Sequence, residues 1–362
     1  MRIAIDARMI NASGIGRYLR NLINELQKLD KKNEYYILLL KDDYYSLNFN
    51  QNFYKVLADF KWYTVKEQIF LPQILNKIKP DLVHFPHFNV PIFYGGKFVV
   101  TIHDLIHQHH STRNTSFHDP LTFRIKKLGY TKVFEFALRN SEKIFTPSEF
   151  VKKQLINEWR ISRSKILVTP EAVDDIFFRS KKNDELPSGV RFPYILYVGN
   201  AHPHKNVEGL IKAFLKLKES NLKLVLSGKD NYFWQRIKKE FKNPDIIYTG
   251  YIADKELVAL YKNAKCFVTA SFEEGFGLPV LEAMALGCPV VCSDIGSLRE
   301  VGGNAALYFN SRDINDMANN ISHMLSNFSL RNELIEKGRK RVKLFNFQKM
   351  AKQTLEVYQK CV

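Results

Sequence analysis

The amino-acid sequence predicts an α/β fold made of two doubly wound domains, each with a mostly parallel sheet. Short apolar runs alternate with helix-length amphipathic segments through the first half of the chain, which is typical of βαβ units. A polar stretch broken by proline and glycine, residues 180–189, then interrupts this alternation and is predicted to be a linker. The alternation begins again at Tyr194, and 362 residues are enough for two domains.

The first domain is expected over residues 1–178. Its apolar runs are short and bounded by proline or glycine, as buried parallel strands are. The helix after the first run repeats leucine at helical spacing. Strands are predicted over residues 2–7, 35–40, 81–85, 98–102 and 143–146, and helices over 14–30 and 148–158.

The second domain is expected over residues 190–345, with a last helix, 346–362, that packs back toward the first domain. In this half Asp254 is expected to cap one helix, and Pro279 to occupy the first position of another, which Gly287 ends. Ligands of such folds bind outside the carboxyl ends of the strands, so two facing domains would form a cleft with strand ends on both walls. Strands are predicted over residues 194–198, 223–226, 246–248, 266–270 and 289–292, and helices over 206–218, 254–263, 279–286 and from 314 onward.

Composition predicts an ordinary globular protein of the cytosol. Hydrophobic residues make up 45% of the sequence, and the mean hydropathy is −0.25. The first residues lack the apolar core of a signal peptide, and no apolar run approaches the length of a membrane-spanning helix. Cys266, Cys288, Cys292 and Cys361 follow neither a zinc nor a disulfide pattern, so buried or terminal free thiols in a reducing compartment are predicted.

A net charge of +17 and a pI near 9.5 suit nucleic acid, an anionic membrane, anionic small substrates, or a lysine-rich surface without a partner. The sequence has no zinc-finger spacing, no RNP-type aromatic signature and no basic low-complexity tail, which argues against nucleic acid. Residues 121–139 predict an aromatic and basic helix. This helix either lies at an anionic lipid interface or packs one face on the core and exposes its basic side to solvent.

The most informative motif is SFEEGFGLPVLE at residues 271–282, between a predicted strand and a predicted helix. It places Glu274 and Glu282 eight residues apart, with Gly275, Gly277 and Pro279 between them. Free backbone N–H groups at a helix N-terminus suit an anion such as a phosphate, whereas carboxylates suit sugar hydroxyls. A loop that offers both indicates a site for a nucleotide-sugar.

Three further motifs follow predicted strands and suit the same chemistry, although each also has a plain structural explanation. Gly14 and Gly16 open the first helix, where they either admit a phosphate or an acceptor anion or only form a tight turn. His103 either donates a hydrogen bond to a sugar hydroxyl or departing group, or is a satisfied polar residue at a strand end. Lys205 opens a helix, where it either stabilises a diphosphate leaving group or lies in solvent.

No metal site is predicted. His107, His109 and His110 are close in sequence, but no carboxylate pattern accompanies them, so they are interpreted as loop residues. The sequence contains no Asp-x-Asp triplet, the usual carboxylate pair that holds a metal-bound nucleotide diphosphate. The negative charge of the diphosphate would then be neutralised by Lys205, helix N-termini and backbone N–H groups. This predicts chemistry without a metal or another cofactor.

Together these residues resemble the retaining glycosyltransferases of family 4, which have the GT-B fold of two facing Rossmann-like domains. The resemblance covers nearly the whole chain. Within the family the chain is similar to the mannosyltransferase-like branch of bacterial O-antigen and polysaccharide enzymes. The motifs that carry it are SGIGRY (13–18), TIHD (101–104), TPSEF (146–150), YILYVG (194–199), GYI (250–252) and EGFGLP (274–279).

The resemblance implies a metal-independent retaining hexosyltransferase that moves mannose from GDP-mannose onto a lipid-linked or polysaccharide acceptor, as in lipopolysaccharide synthesis. Composition and charge predict a cytoplasmic enzyme with no nucleic-acid partner, which either makes peripheral contact with the anionic inner face of the cytoplasmic membrane or has a basic surface without a membrane partner. Glu274, His103 and Lys205 would act on the transferred sugar and the diphosphate, and Glu282 would bind the ribose. The donor-binding residues implied are Gly14, Gly16, Asn200, His204, Lys205, Glu274, Gly275, Phe276, Gly277, Leu278 and Glu282.

Three positions depart from the family pattern. Ser13 stands where the family often has a second glycine, and Asn200 and His204 stand where arginines are common, so the diphosphate pocket loses a permanent charge and retains that of Lys205. If His204 points inward, activity would rise as falling pH protonates it. A UDP-sugar donor with the same reaction, a non-hydrolysing epimerase of the same fold, and a basic membrane- or nucleic-acid-binding protein with a degenerate pocket are the alternatives.

Overall fold

The computed structural model describes residues 1–110, 120–178 and 185–362, and the side chains of all of these except residues 13 and 120–126. The chain forms two compact units. Unit 1 comprises residues 1–171 and 346–362, and unit 2 comprises residues 172–345. The linker expected at residues 180–189 lies partly outside the described residues.

Unit 1 is a seven-stranded sheet in which every neighbouring pair is parallel, with strand order β3-β2-β1-β4-β5-β6-β7. Its strands are Arg2–Asp6 (β1), Glu34–Leu39 (β2), Phe53–Leu57 (β3), Leu82–Phe85 (β4), Phe98–Thr101 (β5), Ile144–Thr146 (β6) and Ile166–Val168 (β7). Its helices are Ser13–Leu29 (α1), Lys41–Ser46 (α2), Val65–Ile78 (α3), Ile106–His109 (α4), Pro120–Asn140 (α5), Glu149–Trp159 (α6) and, at the C-terminus, Phe347–Cys361 (α14).

Unit 2 repeats this plan with a parallel sheet of six strands, in the order β10-β9-β8-β11-β12-β13. Its strands are Tyr194–Val198 (β8), Lys223–Ser227 (β9), Ile246–Gly250 (β10), Cys266–Thr269 (β11), Val290–Ser293 (β12) and Ala306–Phe309 (β13). Its helices are Val207–Phe214 (α7), Tyr232–Glu240 (α8), Asp254–Asn263 (α9), Leu278–Ala285 (α10), Gly296–Gly302 (α11), Ile314–Ser326 (α12) and Phe328–Val342 (α13). The predicted α/β class with two Rossmann-like parallel sheets is confirmed.

The cores explain why the short apolar runs form strands. In β8, Ile195 and Tyr197 pack into one hydrophobic cluster of unit 2, whereas Tyr194 and Leu196 pack into another. Alternate side chains of a strand point to opposite faces, so a strand covered on both faces has to be apolar along its whole length. The same covering buries all four residues of β4 and of β5 in unit 1.

The chain leaves unit 1 and returns to it at positions set by packing. The sequence predicts that the first domain ends at residue 178, whereas in the structure unit 1 ends at residue 171. The reason is that Val173 and Phe177 belong to the core of unit 2, where the ring centroids of Phe177 and Tyr261 lie 6.3 Å apart. Helix α14 belongs to unit 1 and packs against α1. There the Tyr358 hydroxyl is 2.5 Å from Nδ1 of His84 in β4.

Two helix starts differ from the expectation. Ala253, not Asp254, is the N-cap of α9, and the Glu256 side chain accepts a hydrogen bond from the Ala253 N–H at 3.0 Å. Helix α10 begins at Leu278, so Pro279 is its second residue and Gly277 is its N-cap. A glycine suits that place because its φ of 106° lies in the left-handed region.

The described part of the basic helix α5 packs on the core. Phe134, Ala137 and Leu138 are buried, whereas Lys132 and Arg139 are exposed, which is the core-facing alternative. Residues 121–126 of the predicted helix lie outside the described side chains. No helix within the described ranges is both long and apolar enough to cross a membrane. All four cysteines are buried free thiols, in agreement with the predicted state of the thiols.

Candidate functional site

In an open parallel sheet, ligands bind outside the carboxyl ends of the strands, at the point where the strand order reverses. In unit 2 this reversal lies between β8 and β11. The segment after β8 carries Asn200, His204 and Lys205, and the segment after β11 carries the acidic, glycine-rich motif. The His204 carbonyl accepts a hydrogen bond from the Phe272 N–H at 2.7 Å, which joins the two segments directly.

Lys205 and Glu274 form an ion pair at this reversal. The Lys205 Nζ lies 2.7 Å from Oε1 and 2.6 Å from Oε2 of Glu274. The Ser271 hydroxyl donates to the same Oε1 at 2.7 Å and fixes the carboxylate further. The two paired side chains are only 17% and 14% exposed, so the charges are held in place with little solvent screening. The sequence predicts that Lys205 binds the diphosphate and that Glu274 binds the sugar, and the structure brings these two side chains into contact.

Glu282 lies on α10 and is almost fully buried, at 2% exposure. The Tyr261 hydroxyl on α9 donates to its Oε2 at 3.0 Å. A buried carboxylate that is held by a fixed donor keeps one orientation. The ribose role of Glu282 stays a prediction.

Glycines let the backbones at this strand edge approach closely. A Cβ on Gly228 would lie 1.9 Å from the Gly199 carbonyl oxygen, and a Cβ on Gly277 would lie 2.5 Å from Cδ2 of Leu298. Gly275 and Phe276 are buried, and Leu278 is half-buried at the start of α10. Glycine is therefore required at 228 by the neighbouring backbone carbonyl and at 277 by its φ of 106°.

The segment after β8 is ordered by its own hydrogen bonds. Asn200 is exposed, and its Oδ1 accepts the His202 N–H at 3.1 Å. The Tyr197 hydroxyl donates to the Asn200 carbonyl at 2.6 Å. The His204 ring stacks on His202 at a centroid distance of 5.8 Å. The proposed protonation switch at His204 stays a prediction.

In unit 1 the strand order reverses between β1 and β4, and the two glycines after β1 differ in their surroundings. A Cβ on Gly16 would lie 2.4 Å from the Ile10 carbonyl oxygen, whereas a Cβ on Gly14 would meet nothing within 4 Å. Gly16 is therefore required for the tight turn. Gly14 has open space beside it, where a substrate group can approach.

His103 follows β5 and has a protein partner at each ring nitrogen. Nδ1 lies 3.0 Å from Oε1 of Glu171, and Nε2 lies 3.0 Å from the Pro86 carbonyl oxygen. Both partners can only accept, so the doubly protonated imidazolium satisfies both contacts. Burial disfavours the charged ring, but the hydrogen bond and the charge of Glu171 outweigh it and raise the pKa of His103. Its expected contact with the sugar stays a prediction.

Several residues of these sites were missed by the sequence analysis. Ser271 and Tyr261 orient the two acids of unit 2, and Glu171 orients His103. Ser271 lies inside the motif at residues 271–282, so the sequence alone could have identified it as a site residue. Glu171 is 68 residues from His103, and no local pattern links such distant positions.

The histidines at residues 107 and 109 were expected in a loop but lie in the short helix α4. The local sequence Ile-His-Gln-His contains neither a capping residue nor an apolar period that would predict a helix. His109 Nε2 lies 2.8 Å from Oε2 of Glu158 on α6. Among residues 1–110, 120–178 and 185–362, no three His, Cys, Asp or Glu side chains are grouped as metal ligands would be.

Comparison with known proteins covers both units. Residues 12–176 match the family model described as Glycosyltransferase Family 4, and residues 178–341 match the one described as Glycosyl transferases group 1. O-antigen chain mannosyltransferase B of Escherichia coli is 31% identical over 297 residues, which cover 78% of this chain and 75% of the relative. O-antigen chain mannosyltransferase RfbU of Salmonella typhimurium is 28% identical over 255 residues, 70% of this chain and 67% of the relative.

Solved structures show the same fold. Anabaena HepE, solved in complex with UDP and glucose, superimposes with a TM-score of 0.73 at 15% identity, over 99% of each chain.

Proposed function

Because this chain belongs to glycosyltransferase family 4, and is therefore a glycosyltransferase, we propose that it transfers mannose from GDP-mannose to a glycan acceptor with retention of configuration. The acceptor is a lipid-linked or polysaccharide glycan of bacterial envelope synthesis. Both curated relatives named above are O-antigen mannosyltransferases, which supports the sugar and the setting.

The observation that carries the proposal is the Lys205–Glu274 pair at the strand reversal of unit 2. When a diphosphate binds at Lys205, the positive charge of Lys205 compensates both the diphosphate and the Glu274 carboxylate. The Glu274 carboxylate then accepts hydrogen bonds from hydroxyls of the donor sugar. Glu282, held by Tyr261, binds the ribose. As the anomeric C–O bond breaks, the negative charge that develops on the leaving diphosphate is stabilised by Lys205 and the backbone N–H groups at the start of α10.

Retention is proposed to proceed on one face of the sugar, without a protein nucleophile. The bond between the anomeric carbon and the phosphate oxygen breaks while the acceptor oxygen bonds to the same carbon. The acceptor proton passes to the leaving phosphate oxygen, so atoms and charges balance. No metal or other cofactor is proposed, because the sequence lacks an Asp-x-Asp triplet and Lys205 supplies a positive charge.

An anionic membrane surface is proposed as the place of action, with the enzyme on its cytoplasmic side and no nucleic-acid partner. Unit 1 has 29 lysines and arginines against 17 acidic residues, whereas unit 2 has 25 against 20. Unit 1 also exposes a set of apolar side chains beside Lys66, which we call the apolar patch. It consists of Val65, Ile69, Phe70, Ile92 and Phe93. Apolar side chains among lysines suit an anionic lipid interface.

A UDP-sugar donor is the second candidate, with the same fold and reaction. It is favoured by one neighbour of the same fold, HepE, whose solved structure contains UDP and glucose.

Thermal unfolding with GDP-mannose, GDP, UDP-glucose, UDP-N-acetylglucosamine and UDP, each with and without EDTA, tests the proposal. A ligand at about a hundred times its dissociation constant stabilises a protein by roughly 2.7 kcal/mol, which is visible as a melting shift. A shift with guanine nucleotides alone, unchanged by EDTA, is expected. A shift with uridine nucleotides alone would mean that the donor is a UDP-sugar. Loss of the shift in EDTA would mean that donor binding requires a metal ion.

A further inference from the structure

A buried polar network joins the C-terminal helix α14 to two neighbouring strands and the first helix of unit 1. The Tyr358 hydroxyl on α14 lies 2.5 Å from Nδ1 of His84 in β4. Nε2 of the same ring lies 2.8 Å from the hydroxyl oxygen of Thr101 in β5. That oxygen lies 3.1 Å from the Tyr18 hydroxyl on α1. The four residues are at most 2% exposed, so solvent does not compete for these contacts and the low local dielectric strengthens them.

The network ends against His103, which follows β5. The Tyr18 ring packs on the His103 ring in a T-shaped contact, with ring centroids 5.0 Å apart and an interplanar angle of 82°. The two ring nitrogens of His103 contact Glu171 and the Pro86 carbonyl. These two contacts fix the nitrogens, and Tyr18 limits tilting of the ring between them. The orientation of His103 therefore depends on the position of Tyr18.

The histidines of this region differ in charge because their surroundings differ. Burial and the nearby charge of His103 lower the pKa of His84 to about 3, so His84 is neutral. Burial also keeps the pKa of His87 well below its ordinary value. Burial opposes the charge of His103 as well, but Glu171 and, to a smaller extent, Asp104 outweigh it and raise the pKa of His103. A second positive ring would repel the first, so the neutral state of His84 favours the charge on His103.

His84 is an unusual residue for its place in the sheet. The other residues of β4, Leu82, Val83 and Phe85, are apolar, and all four are buried. A buried imidazole costs free energy unless its nitrogens have hydrogen-bond partners, whereas an apolar side chain would fill the same space without that condition. The network meets the condition with hydroxyl groups from α14 and β5. Filling the core therefore does not by itself explain a histidine at this position.

We propose that Tyr18 and His84 are positioning residues for His103 in the transfer reaction. Thr101 links their side chains, and Tyr358 holds His84 from α14, 274 positions away in the sequence. The network acts on the reaction only through His103, whose predicted contact with the transferred sugar belongs to the proposed reaction. The inference therefore deepens the proposed function and rests on it.

Tyr18→Phe and Tyr358→Phe test the inference, because each removes one hydroxyl group and keeps the aromatic ring. Tyr194→Phe is the matched control, since Tyr194 is buried in unit 2 and its hydroxyl donates to the Leu260 carbonyl at 2.8 Å. The first readout is an NMR titration of the histidine rings in the ligand-free protein, with the His103 signal assigned by its absence in His103→Gln. The second is calorimetric binding of GDP-mannose and of GDP. If the melting shifts identify a UDP-sugar as the donor, that sugar and UDP take the place of this pair.

In Tyr18→Phe the pKa of His103 should fall toward the ordinary value of about 6.5, because a less well oriented ring makes weaker contacts with Glu171. GDP-mannose should bind about fivefold more weakly than to wild type, whereas GDP, which lacks the sugar, should bind equally. Tyr358→Phe should show the same changes to a smaller extent, because it acts through His84. All three variants should lose melting temperature to a similar degree, and the control variant should keep the wild-type titration and binding.

A His103 titration that is the same in Tyr18→Phe as in wild type would overturn the inference. A titration shifted in Tyr18→Phe but not in Tyr358→Phe would exclude His84 and α14 from it. A shifted titration with unchanged GDP-mannose binding would mean that His103 does not contact the sugar, so that Tyr18 has no role in the reaction, and the donor site proposed in unit 2 would still stand. Absence of nucleotide-sugar binding in wild type would overturn the proposed function itself, whereas the titration would still report how His103 is held.

Discussion

The Lys205 ammonium contacts both carboxylate oxygens of Glu274, at 2.7 and 2.6 Å, in a largely buried position of unit 2. The two residues are 69 positions apart and come from segments that follow two neighbouring strands. Each one compensates the charge of the other. The pair therefore links the residue proposed to bind the diphosphate with the residue proposed to bind the sugar.

Glu274→Ala is expected to leave a folded protein and to reduce kcat/KM by about 1,000-fold, a magnitude typical of losing a group that is fixed in an active site. Its loss of stability should stay below the roughly 3–5 kcal/mol of fully buried pairs, because both side chains retain some exposure. Circular dichroism and initial rates measure the two effects. Glu208→Ala, which breaks the half-buried pair with Arg236, is the matched control, and equal activity of the two variants would reject the role of Glu274.

Gly14→Ala and Gly16→Ala are expected to separate function from folding. Alanine at 16 places a Cβ against the Ile10 carbonyl, so the melting temperature should fall. Alanine at 14 has free space, so the melting temperature should hold while kcat/KM falls, if substrate borders this turn. Calorimetry and initial rates decide this. A Gly14→Ala enzyme with wild-type kinetics would remove Gly14 from the site.

The His103–Glu171 pair should make stability depend on pH. A raised histidine pKa means that the folded state holds the proton more tightly, so the stabilisation is complete below the ordinary pKa of about 6.5. It is lost as the pH rises through the raised value. Glu171→Gln should therefore lower the urea midpoint clearly at about pH 6 and much less at about pH 9. His323→Gln, at an exposed histidine of unit 2, is the control. An equal deficit for Glu171→Gln at both pH values would mean that His103 is not charged.

Phe93→Glu is expected to weaken binding to vesicles that contain phosphatidylglycerol. Phe93 is 72% exposed, and withdrawing a phenylalanine from an apolar phase costs about 1.5–3 kcal/mol. The partition coefficient should therefore fall about tenfold or more, and wild type should bind pure phosphatidylcholine less. Phe328→Glu in unit 2, at 70% exposure, is the control. Co-sedimentation that is the same for both variants would exclude the apolar patch as a membrane contact.

Much of the fold followed from local patterns. Strands that are covered on both faces, such as β8 and β11, need continuous apolar runs, and those runs were recognised within a residue or two. The edge strand β3 was missed, because its sequence, FYKVL, mixes a lysine into a half-exposed surface. Helix α3 was also missed; its exposed face carries Val65, Ile69 and Phe70, which obscures the amphipathic period.

The sequence by itself determined the class of fold, the family and the acid–glycine motif, because these depend on residues that are near one another along the chain. Only the tertiary structure decided which distant groups meet. Glu274 with Lys205, His103 with Glu171, and Asp6 and Glu67 with Arg8 are brought together by the order of strands in each sheet. That order depends on the packing of whole elements over long sequence separations, so the spacing of residues in one segment does not reveal it.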